Sequence, residues 1–207
     1  MKDSRGFTMI EMVVVLAVIA ILAAILTPIV TSYVDRARND SAQSDVKKIA
    51  AALVQFNTDT KLWPIYSAVP PNITTGAYSV EAGPGNQPQI GSGTNWPSIS
   101  SVGSLDSVLN QNLMGLPITG KAAWKGPYVE LGPDPWGTQY FLNALFLEPG
   151  CVSTHGGAGT CSTTSGASPS AVYVISAGPN QTIETNYDQA TSSNFAVGGD
   201  DILVRIK

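Results

Sequence analysis

The sequence predicts an α+β fold: one long N-terminal helix, half membrane-embedded and half amphipathic, packed on a small antiparallel sheet with long loops. Three observations predict it. An apolar run fills residues 9–30, interrupted only by Glu11 near its start and by Thr27 and Pro28 near its end. Apolar residues then recur at helical spacing, at Val46, Ile49, Ala50, Leu53 and Phe56. Farther on, residues 139–143, 172–176 and 202–206 have strand composition.

As a helix rising about 1.5 Å per residue, residues 9–30 span roughly 30 Å, the thickness of a hydrocarbon core. A secretory signal peptide carries its cleavage site after the apolar region. Here the residues that suggest processing come before it: a leader with Lys2 and Arg5 that ends in Gly6, followed by Phe7. Those two cations place the N-terminus in the cytoplasm by the positive-inside tendency, so the remaining chain faces outward. A carboxylate deep in lipid costs about 2.5–3.5 kcal/mol on insertion scales, which marks Glu11 as a residue with a partner and a task. The run itself offers no cation.

The helical pattern continues to about residue 56. Opposite its apolar face lie Asp35, Arg38, Asp45 and Lys48, with Asp35–Arg38 and Asp45–Lys48 at i, i+3 spacing. Pro28 removes one backbone donor and is expected to kink the helix or let it melt locally. The domain reading is a leader over 1–6, a membrane-spanning half over 7–30, an amphipathic half over 31–62 and a globular domain over 63–207.

The roughly 175 residues beyond the span suffice for one domain with a real core. Only 13% of the chain is charged, and it holds 20 glycines and 14 prolines, a loop-rich and extracytoplasmic composition. The net charge of −4 falls by one if Lys2, Arg5 and Asp3 leave with a leader. No basic cluster follows Lys48, so no nucleic-acid surface is expected. Cys151 and Cys161 are the two cysteines, and in an oxidising compartment they most simply pair. Closing that loop would stabilise by roughly 2–3 kcal/mol in the chain-entropy model. His155 between them does not complete a zinc site, which wants four ligands at characteristic spacing.

Residues 65–103, rich in Pro, Gly, Ser, Thr and Asn, read as a surface loop or variable insertion. Leu105, Val108, Leu109 and Leu113 suit a short helix. Asp134-Pro135-Trp136-Gly137 suits a type I turn: Asp accepts local backbone bonds, Pro presets φ and Gly closes the turn. Trp124, Trp136 and Tyr140 around it read as core aromatics. No catalytic constellation appears, and an enzyme is not expected. There is one histidine, no phosphate-cradling glycine loop opens a helix, and Asp200 and Asp201 are strand neighbours that point to opposite faces.

Gly6, Phe7, Thr8, Glu11 and Pro28, at this spacing around an apolar run, resemble the prepilin leader of type IV pilins and of the pseudopilins of type II secretion. The resemblance implies a type IV pilin-like fold and a cut between Gly6 and Phe7 by a prepilin peptidase, with N-methylation of the new terminus. It implies that Glu11 pairs with the Phe7 amine of a neighbouring subunit, which sets the stagger of a helical filament. Pro28 would mark a segment that loses helix on assembly. The block W-x-G-P-Y then D-P-W-G-x-x-Y, residues 124–140, looks most like the major pseudopilin of type II secretion.

That likeness implies a calcium-binding C-terminal loop, with Asp201, Asp200, Asp188, Glu184 and Asn180 as the candidate ligands. The acids before Ile202 are adjacent here, whereas the family usually separates them by one residue, and the loop is longer. The implied partners are copies of the same chain, minor pseudopilins, the prepilin peptidase, an inner-membrane assembly platform and a cytoplasmic assembly ATPase. The precursor would sit in the inner membrane with its globular domain in the periplasm, and the assembled form would be a pseudopilus driving protein export. Two alternatives remain. One is a subunit of a surface type IV pilus for adhesion, motility or DNA uptake, which the cysteines and the long 65–103 region favour. The other is a membrane-anchored binding domain that does not polymerise.

Overall fold

The computed structural model describes residues 6–64, 80–96, 105–112, 114–147, 170–189 and 195–206. They fall into two compact units, Met1–Arg38 and Asn39–Lys207. Cys151, Cys161 and the disulfide expected between them lie outside the described residues.

Helix α1 runs Met9–Thr60, with Pro28 inside it. The helix does not melt at Pro28 but runs through it. A proline removes a single donor, and hydroxyls nearby engage carbonyls of the same turns. Thr27 Oγ1 donates to Ala23 O at 2.7 Å and Thr31 Oγ1 to Pro28 O at 3.0 Å. The predicted apolar face is buried: Val46, Ile49, Ala50, Leu53 and Phe56, joined by Ala42 and Ala52. Lys48 pairs with Asp45 at 2.7 Å. The helix outlasts its predicted end by a turn because polar groups cap it. Lys61 adopts φ 62° and donates its N–H to Asn57 O at 2.9 Å, while Asn57 Nδ2 donates to Leu62 O at 3.1 Å.

Four strands form an antiparallel sheet: β1 (Val80–Ala82), β3 (Tyr140–Leu142), β4 (Tyr173–Ser176) and β6 (Ile202–Arg205), in the order β1-β3-β4-β6. A parallel two-stranded pair joins β2 (Gln89–Ile90) to β5 (Thr182–Ile183). Helix α2 (Leu105–Gln111) buries Leu105, Val108 and Leu109, as its spacing predicts. The central strands β3 and β4 are buried along their whole length, so the sheet is covered on both faces. Alternation separates those faces. Tyr140 turns to α1, where its hydroxyl donates to Asp45 Oδ2 at 3.2 Å. Phe141 and Tyr173 turn the other way and meet the edge of Trp96, with ring centroids 6.0 and 6.2 Å away.

Trp96 overturns part of the sequence reading. Residues 65–103 are not simply a surface loop: β1 is an edge strand of the main sheet, β2 pairs with β5, and Trp96 is buried. Strands of two and three residues are too short to show a period against a Pro- and Gly-rich background. Of the expected core aromatics, Tyr140 is buried, while Trp124 and Trp136 are half-buried.

Two buried polar side chains tie the loops to this frame. Asp134 opens the predicted turn, and Gly137 N donates to its carbonyl at 2.9 Å. Its carboxylate accepts from Trp136 N and Thr138 N through Oδ1, and from Thr138 Oγ1 and Ser176 Oγ through Oδ2. Asn143, fully buried, donates to Ala171 O and Tyr187 O and accepts from Tyr173 N. Around the W-x-G-P-Y block, Tyr128 packs edge-on against Phe56 at 5.6 Å, and Lys125 Nζ reaches Asp59 Oδ1 at 2.9 Å.

Asn143→Ala strands the Tyr173 amide and two carbonyls in the core. Urea denaturation of the detergent-solubilised chain is expected to register a loss of about 2–4 kcal/mol, larger than one net hydrogen bond because one side chain serves three buried backbone groups.

Candidate functional sites: the N-terminal segment and the acidic C-terminal loop

Gly6 is exposed, and a side chain built on it meets nothing within 4 Å. The packing of this chain therefore does not demand glycine there. Phe7 is 83% exposed. Within Met9–Thr60 lies an 18-residue window of mean hydropathy 3.1, none of it buried inside the chain. The helix is thus long and apolar enough to cross a membrane.

Glu11 has a partner inside the chain that the sequence reading missed. Its Oε2 accepts from Thr8 N at 2.8 Å and from Thr8 Oγ1 at 2.8 Å. In return the Glu11 amide approaches Thr8 Oγ1 at 3.4 Å. This is a capping box, in which Thr at the N-cap and Glu three residues on satisfy each other's backbone donors. The signal was legible, since Thr8-x-x-Glu11 stands directly before an apolar run. Glu11 therefore serves the start of α1.

At the other end, Asp201 is 7% exposed, and its Oδ2 accepts from the Glu184 and Thr185 amides at 2.9 and 2.6 Å. Its Oδ1 is buried without a hydrogen-bond partner, as is Asp200 Oδ1. Burial, with the Glu184 charge adding to it, pushes the Asp201 carboxyl above its usual range despite those two amides. Asp200 Oδ2 accepts from Asn180 N at 3.1 Å, and Asn180 Nδ2 donates to Glu184 Oε2 at 2.9 Å. Gly199, at φ +48°, is where the chain closes on Glu184: a Cβ there would lie 1.4 Å from Glu184 Oε2.

Four of the five candidate ligands, Asn180, Glu184, Asp200 and Asp201, are thus joined by direct bonds within the loop. Asp188 is aligned elsewhere, with its Oδ1 3.5 Å from Asn95 Nδ2. Among the described residues, no three His, Cys, Asp or Glu side chains converge as a metal site. A cation would need the two orphaned carboxylate oxygens together with carbonyl and amide oxygens, a donor set that suits calcium. Nor is the loop devoid of apolar anchorage, as its polar sequence suggests: Ile183 and Tyr187 are buried in the core.

Residues 1–27 match the prokaryotic N-terminal methylation motif. The chain is 41% identical over 63 residues to the type II secretion system core protein G of Pseudomonas aeruginosa, which covers 30% of this chain and 44% of that protein. It is 36% identical over 64 residues to the fimbrial protein EcpC of Eikenella corrodens, covering 31% of this chain and 42% of that protein. The matches thus span less than half the length of either relative. No solved structure matches. With the N-terminal methylation motif at the start of one long apolar helix, and a helix-on-sheet globular unit, the chain has the α+β, pilin-like arrangement that its sequence predicts.

Proposed function

We propose that the chain is the major subunit of a pseudopilus, polymerising through the apolar part of α1 to drive protein export in a type II secretion-like system. One observation carries the polymerisation: Phe7 and the large apolar side chains of α1 as far as Val34 are exposed and lack partners among the described residues. Lipid covers them in the stored subunit, and the same helices of other copies cover them in a filament. Cleavage after Gly6 frees the Phe7 amine, and the Glu11 of a neighbour receives it. The resemblance to the secretion core protein and the 124–140 block support export. The similarity to a fimbrial protein favours a second reading, a surface type IV pilus.

In this reading Asp201 and Asp200 hold calcium through their free Oδ1 atoms, with Glu184, Asn180 and loop carbonyls as neighbouring donors. Bound calcium would supply positive charge to the buried Asp201 and half-buried Asp200 carboxylates and would hold two ends of the loop together.

Processing and assembly are tested together. Replacing Gly6 with leucine is expected to leave an uncut precursor, while the wild-type chain yields a mature form whose mass starts at Phe7. The capping box requires two variants at Glu11. Glu11→Gln retains the box, since Gln serves at that position, and removes the charge. Glu11→Ala removes both, at a cost of about 0.5–2 kcal/mol to the helix start. Both are expected to be cleaved and inserted yet to join filaments poorly. Full assembly of Glu11→Gln would assign the residue to capping alone.

Electron microscopy of sheared cell surfaces separates the two filament readings. A pseudopilus is expected to release no long filaments at native expression, and abundant filaments of this chain would make it a pilin.

Chelator is expected to lower the melting temperature of the purified chain, because a ligand bound only by the folded state stabilises it by about 2.7 kcal/mol at a hundredfold excess over Kd. Asp201→Ala should abolish that difference. An unchanged melting temperature would remove calcium from the account.

A further inference from the structure

We propose that residues 89–96 form a clasp that holds the acidic C-terminal loop in its cation-binding shape before any cation arrives. Trp96 is its positioning residue, and Gly91 is its point of closest approach. The identity of the cation rests on the calcium reading above, whereas the clasp rests on bonds within this chain.

The clasp grips alternate carbonyls of the loop. Gln181 O accepts from Gln89 N at 2.9 Å and Ile183 O from Gly91 N at 2.8 Å. Thr185 O accepts from the indole N–H of Trp96 at 2.8 Å. Tyr187 N then donates back to Thr94 O at 2.8 Å. With one edge of residues 181–187 fixed in this way, the Glu184 and Thr185 amides are left aimed at Asp201 Oδ2. The indole is anchored by three aromatic neighbours, with Tyr187 at 5.0 Å and Phe141 and Tyr173 behind it.

A loop ordered by its own cation spends part of the binding free energy on fixing the backbone, whereas a preformed one does not. The clasp makes this loop the second kind. Asp201 is buried and oriented by the Glu184 and Thr185 amides, and the clasp fixes those amides through bonds that involve no carboxylate. The segment whose composition reads as an insertion is then a working part of the site.

The test is hydrogen exchange of the full-length chain in detergent, in chelator and in calcium, alongside calcium titration by calorimetry. Two variants loosen the clasp without altering any of the side chains proposed as ligands. Trp96→Phe keeps an aromatic ring and removes the N–H donor. Gly91→Ala sets a Cβ 2.8 Å from Ile183 O and pries β2 from β5. In chelator the wild-type amides of Glu184, Thr185 and Tyr187 are expected to stay protected. Both variants should speed their exchange and weaken calcium binding, each by up to about tenfold, the scale of one net hydrogen bond. Wild-type amides that are unprotected in chelator and protected in calcium would overturn the clasp, since the cation would then do the ordering. Unchanged exchange in both variants would overturn it as well. A wild-type loop protected in chelator that takes up no calcium at about 10 mM would remove the calcium reading and support the clasp as the loop's own fastening.

Discussion

Burial of one face of α1, Val46, Ile49, Leu53 and Phe56, in a core shared with β3 and β4 is the constraint on which the globular unit depends. Each such side chain contributes about 1.5–3 kcal/mol when fully buried, and the strands supply partners from both sides of their pleat. Two strands buried over their whole length cannot face water on either side. The second face therefore needs a cover of its own, and Trp96 with Tyr187 and Phe146 provides it. Because that cover comes from segments far apart in the chain, residues 80–96 and the C-terminal loop are committed to the same core.

Buried polar side chains fix the paths between these elements. Asp134 gathers the amides of its own turn and the Ser176 hydroxyl at the end of β4. Asn143 joins three segments at the exit of β3. Such groups add little net stability when satisfied, yet leaving any of their partners unpaired is expensive. They select one arrangement of loops from the many that a Gly- and Pro-rich chain permits. The acidic loop inherits its position from that selection, through Tyr187 and Trp96.

The N-terminal part of α1 obeys a different rule. Its apolar residues are exposed, with no partners among the described residues. A lone acid in such a run would be costly if it had no bonds. The capping box gives Glu11 two local donors from Thr8, which offsets part of that cost in the isolated subunit.

What the sequence determined by itself was what is local in the chain. The apolar helix, the buried stripe of α1, the Asp134 turn and the three main strands are patterns within a few residues, and backbone geometry turns each directly into structure. The capping box was equally local and legible in Thr8 and Glu11. Tertiary structure alone decided that residues 80–96 supply an edge strand, a clasp and a core tryptophan, because two-residue strands acquire their meaning only from a partner ninety residues away. It also decided which acids share the C-terminal loop: Asp201 turns inward beside Glu184, while Asp188 goes to Asn95. Side-chain type says that an acid can bind a cation, but burial and the direction of neighbouring amides, set by the packing of distant segments, say which oxygen is left free to do so.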